Sequence, residues 1–89
     1  SHVCKNFSLA SVDAEGVSLV MLKCAENGKH PIARLLETEG HDVCGHLIYR
    51  GKHYPFQIGK FELITLSIDE ELCRADRVSL LEETYGPSA

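Results

Sequence analysis

His41, Cys44 and His46 come closest to a metal-binding pattern in this chain. On an extended strand Cys44 and His46 share a face, and thiolate with imidazole is a donor set that zinc accepts. The pattern stops there. Strong zinc signals are Cys-x-x-Cys pairs or paired histidines at helical spacing, and neither is present, so further ligands would have to come from a distance. The plainer reading is surface histidines near a turn, and no metal ligand is assigned. Glycoside hydrolysis asks instead for two carboxylates several ångströms apart across a sugar site. The 13 acidic residues include Glu37, Glu39, Glu62, Glu82 and Glu83. Most of them fall in turns or at strand ends, where a solvated acid is the default. There is no Gly-x-Ser-x-Gly nucleophile turn and no phosphate-cradling glycine loop. No catalytic and no cofactor-binding residue is assigned.

Tyr49, Tyr54 and Phe56 gather around Arg50-Gly51-Lys52. Exposed rings there would stack on sugars, as in a carbohydrate-binding module. Yet Tyr54, Phe56 and Ile58 alternate with other residues, which is the spacing of a core face. The four cysteines, Cys4, Cys24, Cys44 and Cys73, lie far apart. A secreted chain would leave three disulfide pairings open. With no close pair and no secretory signal, free thiols that act as small buried hydrophobes are expected. Asn6-Phe7-Ser8 fits a glycosylation sequon, which carries little weight without such a signal.

The elements that position these residues are read from the glycines. Asp13-Ala14-Glu15-Gly16, Glu26-Asn27-Gly28-Lys29, Glu39-Gly40-His41-Asp42 and Arg50-Gly51-Lys52 read as turns. Between them lie short runs of Val, Ile, Leu, Phe and Tyr, the signature of antiparallel strands. Strands are predicted over 3–12, 17–24, 32–38, 43–50, 53–58, 61–68 and 77–82. Asn27-Gly28 suits a tight turn, so the second and third strands should pair. Pro55 lacks a backbone donor and belongs on an edge strand or at a bulge. Asp69 is placed to cap a single turn at Glu70-Glu71-Leu72. No helical period persists. The fold class is all-β, a small antiparallel β-sandwich of about six to seven strands.

A chain of 89 residues with 44% hydrophobic content is one domain with a modest core. The formal charge of −4 argues against a nucleic-acid partner. No apolar run is long enough for a membrane span and no signal peptide opens the chain, so no membrane partner and a cytoplasmic location are expected. Ser1-His2 reads as the remnant of a cleaved tag. Two runs raise a question, Phe61–Ile68 (FELITLSI) and Val17–Leu22 (VSLVML), because both are apolar on two faces. Ile64, Leu66 and Ile68 are expected to form the chain's own core, with Phe61 and Leu63 less buried.

Two segments suggest a family. Ser18 to Gly28 (SLVMLKCAENG) followed by Ala33 to Gly40 (ARLLETEG) resembles the C-terminal region of α-mannosidases of glycoside hydrolase family 38. There a strand ending Lys-x-Ala-Glu-(Asp/Asn)-Gly leads into Arg-Leu-(Tyr/Leu)-Glu-x-x-Gly. Lys60 to Leu66 (KFELITL) is similar to the family's later Pro-Phe-Glu-Ile-x-Thr-Leu, and Val78 to Glu83 (VSLLEE) to the close of its bacterial members. Lys60 stands where the family often has proline, and Leu36 where tyrosine is frequent. The resemblance covers roughly residues 8 to 83. It implies the C-terminal β-sandwich of a retaining α-mannosidase, whose nucleophile, acid/base and zinc all belong to a catalytic domain outside these residues. On that basis the chain is itself inactive, holds no cofactor, and has the remaining domains of the parent enzyme as partners. A rival expectation is a free-standing carbohydrate-binding or protein-interaction module.

Overall fold

A computed structural model describes residues 10–23 and 30–78. Seven strands run β1 Ala10–Asp13, β2 Val17–Lys23, β3 Ile32–Glu37, β4 Val43–Tyr49, β5 Lys52–Ile58, β6 Leu63–Asp69 and β7 Arg74–Val78. They form two antiparallel sheets, β1-β4-β5 and β2-β3-β6-β7. The chain is thus an all-β sandwich. β2 and β3 pair as expected, although the Asn27-Gly28 turn lies outside the described residues. Pro55 sits on β5, an edge strand, where its missing donor breaks no ladder. The turn after β6 is held by Asp69, whose Oδ1 accepts the Leu72 N–H at 3.0 Å.

The core follows from the period of two. From one sheet, Leu47, Tyr49, Tyr54, Phe56 and Ile58 point inward; from the other, Leu22, Ala33, Leu35, Ile64, Leu66 and Ile68. All of these are buried. Burying large aliphatic and aromatic side chains is worth about 1.5–3 kcal/mol each, which makes these positions the main source of stability. Gly45 faces inward among them because no side chain fits. A Cβ there would lie 2.5 Å from the Ala14 Cβ and 2.8 Å from the Asp13 carbonyl oxygen.

The two-faced runs have different explanations. In β2 the register slips between Leu19 and Met21, so Val20 is an extra residue opposite none in β3. A bulge of this kind reverses the alternation. Val17 and Leu19 therefore lie on the core side before it and Leu22 after it, opposite Glu37, Leu35 and Ala33. In β6 no bulge interrupts the strand, although Thr65 on the outer face is 3% exposed, its hydroxyl accepting a hydrogen bond from Arg34 Nε. Ile64, Leu66 and Ile68 are buried while Leu63 is 46% exposed. Phe61 is not in the strand at all. It takes a left-handed conformation, φ 55°, in the turn before β6.

Between β4 and β5, Arg50 and Gly51 have φ of 52° and 83° and Tyr49 pairs directly with Lys52. Positive φ at both central residues is the two-residue turn whose twist suits a hairpin. Nothing lies within 4 Å of where a Gly51 Cβ would be, so a side chain there meets only the backbone cost. Gly51→Ala is expected to destabilise the chain by about 1–2 kcal/mol. Arg50→Gly should stabilise it slightly, because it relieves the same strain. Denaturant titration of both variants checks the pair, and shifts of the same sign would contradict this turn assignment.

Candidate functional site

Three places gather polar or reactive side chains. The first is the end of the sandwich where the β1–β2, β3–β4 and β5–β6 connections meet. Glu37, the last residue of β3, continues the inward phase of Ala33 and Leu35 and is 1% exposed. Its Oε1 accepts the backbone N–H groups of Phe61 at 2.7 Å and Gly40 at 2.8 Å, and its Oε2 that of Glu39 at 3.0 Å. Burial alone would raise its pKa. The backbone donors of Phe61, Gly40, His41 and Glu39 outweigh that and hold it at about 2, below the ordinary 4.5. The strand-end acid expected to be solvated is therefore a buried anion. The Phe61 ring, itself exposed, lies over Gly40, where a Cβ would come within 3.0 Å of it. Thr38 joins the third connection, donating from its backbone N–H to the Gly16 carbonyl at 2.8 Å.

The second place is the open edge between β5 and β7. Gly45 without a side chain and Ala75 with a small one leave a recess of about 560 Å³ floored by Phe56 and Leu66. Arg77 crosses it. Its Nη2 donates to the Gln57 carbonyl oxygen at 2.7 Å, and its guanidinium pairs with Glu62 at 3.1 Å. Glu62 also accepts the Gly59 N–H at 2.7 Å. That bond and then Arg77 hold its carboxyl below the usual range. Glu62 and Arg77 are thus committed to each other, and the edge carbonyl of β5 has a donor. Nothing here combines a nucleophile with a base.

The third place is the outer face of the three-stranded sheet. Cys44 and His46 do share it, and both are exposed. Cys44 and Cys73 are free thiols, as expected, but neither is buried. Cys44 falls in the phase opposite to Leu47 and Tyr49, and Cys73 lies in a turn with φ 56°. Cys4, Cys24, Asn6, Glu82 and Glu83 lie outside the described residues. His41 is exposed in the β3–β4 connection and does not join Cys44 and His46. Among the described residues no three His, Cys, Asp or Glu side chains are grouped to hold a metal ion. No helix among them is long and apolar enough to cross a membrane.

The aromatic cluster is core. Tyr49, Tyr54 and Phe56 are all buried, and Phe61 is the one exposed Phe or Tyr among the described residues. Burial, aided by the nearby Glu70, pushes the Tyr54 hydroxyl pKa up. No protein-family model, curated protein or solved structure matches this chain.

Proposed function

We propose that this chain is a non-catalytic β-sandwich that packs against the other domains of a larger enzyme, one resembling the family 38 α-mannosidases. The observation that supports a packing role is the outer face of the four-stranded sheet. Leu36 stands opposite Leu63 there, and Met21 and Ile32 are half-buried further along the face, next to Arg34. Val20 and Leu63 are 44% and 46% exposed, and Phe61 stands at the end of the same sheet. The same face carries Ser18, Arg34, Thr65 and Ser67, so its apolar residues are interspersed with polar ones, and the case for an interface rests on the large apolar side chains left exposed at Val20, Leu63 and Phe61.

Support for the family comes from where the two resembling segments meet. Glu37 and Gly40 of one are bonded to, and packed against, Phe61 of the other. Glu37, Gly40 and Phe61 thus act together at that loop end. The free-standing sugar-binding alternative has less support, because it needs exposed coplanar rings and Tyr54 and Phe56 are in the core.

The purified chain is expected to hydrolyse no aryl α-mannoside, with or without added zinc. Turnover that disappears on replacing one of its own carboxylates would overturn the non-catalytic reading. The family reading is tested by the reading frame that carries the chain. A catalytic domain with zinc ligands and a nucleophilic aspartate upstream supports it, and an unrelated neighbour or none refutes it.

A further inference from the structure

The histidines of the third place are paired differently from the sequence pattern. His46 on β4 is opposite Pro55 on β5, and His53 on β5 is opposite Ile48. The two histidines are therefore diagonal neighbours on adjacent strands, both on the exposed face. Their ring centroids are 6.0 Å apart at an interplanar angle of 62°. Two imidazoles in neighbouring positions on one metal, each with a metal–nitrogen bond of about 2.0–2.1 Å, have centroids about 4.5 Å apart at a right angle and about 5 Å apart at a tetrahedral one. Side-chain rotation of two exposed residues closes that gap. The strands beneath them are held in register by the β4–β5 ladder, so the spacing of the pair is fixed by the fold.

We propose that His46 and His53 form a two-imidazole site for a divalent late first-row transition metal, with water in the remaining positions. Imidazole is a ligand suited to nickel, copper and zinc, whereas magnesium and calcium prefer oxygen. Asp13 stands opposite His46 on its other flank, in β1, and adds a negative charge to the same face. Cys44, two residues before His46, lies on that face without being required as a ligand.

Nickel chloride is the probe, since nickel(II) does not oxidise the free thiols as copper(II) would. Titration is done in a His2→Ala background, so that the histidine at position 2 does not compete for the metal. One saturating equivalent of nickel should bind, raise the melting temperature, and broaden the ring resonances of His46 and His53 before those of His30 and His41. His46→Ala and His53→Ala should each weaken binding by about tenfold or more. His41→Ala and Cys44→Ser should bind as the parent does. His46→Gln and His53→Gln, with melts recorded without metal, separate loss of a ligand from loss of fold. Absence of saturable binding, binding that survives both single histidine substitutions in folded protein, or binding abolished by His41→Ala or Cys44→Ser would each overturn the site.

Discussion

Ile64→Ala is expected to destabilise the chain by about 2–4 kcal/mol, and Leu63→Ala by clearly less. The two residues are chain neighbours of similar size and chemistry, so only the face distinguishes them. Ile64 is 4% exposed and lies opposite the fully buried Leu35. Removing three of its carbons leaves a cavity between the sheets that rigid ladders on both sides cannot close. Leu63 is 46% exposed opposite Leu36 on the outer face, and water takes the place of its missing carbons. Urea unfolding of both variants measures the difference. Equal losses would show that the outer face is as tightly packed in this chain as the core, and would remove the main support for a face reserved for another domain.

That contrast was legible in advance because a strand's period is two and nothing interrupts β6. β2 was not legible in the same way. Val17 to Leu22 reads as apolar on both faces, and only the pairing with β3 reveals Val20 as a bulge that brings Leu22 inward. A bulge depends on the partner strand, which local composition does not contain. Phe61 was misplaced for a related reason. Its β-favouring side chain suits a strand, but its N–H is held by Glu37, a residue 24 positions away, and the backbone turns left-handed to reach it.

The reactive residues show both outcomes. That Cys44 and His46 share a face followed from their spacing, and the structure keeps it. That the cysteines would be buried came from the habits of the residue type, and for Cys44 phase overrode it. Counting by twos from Leu47 and Tyr49 puts Cys44 outside. The same count would have found the buried acid. Ala33, Leu35 and Glu37 are one inward series, and a carboxylate at the end of such a series needs donors from somewhere. What the count could not supply is which donors, because they come from two connections that meet only in the fold. His53 was passed over because its partner is diagonal on another strand.

Glu37→Gln should lower the melting temperature at pH 7 by several degrees, and the gap should close as the pH falls. The amide has nearly the shape of the carboxylate but one acceptor oxygen instead of two. Oε1 takes the Phe61 and Gly40 N–H groups and Oε2 that of Glu39, so a Gln NH2 must face at least one backbone donor. A buried N–H left without an acceptor is destabilising in its own right. The pH dependence follows from the direction of the shift. The carboxyl titrates at about 2 in the folded chain against 4.5 as its ordinary value. Its contribution is therefore complete above about pH 4.5, and is lost as the pH falls from there through about 2. Wild type should lose stability across that window more steeply than Glu37→Gln, which has no proton to take up at this position. Amide exchange gives the location. Gly40 and Phe61 should exchange faster in the variant at neutral pH, while Leu47 and Leu35 in the ladders change only with global stability. A gap that stays constant from pH 7 to pH 2.5 would mean that the charge contributes nothing and that shape alone holds these connections. Unchanged exchange at Gly40 and Phe61 would mean that the carboxylate is not what joins the two segments. If both effects appear together, one buried acid links the β3–β4 and β5–β6 connections.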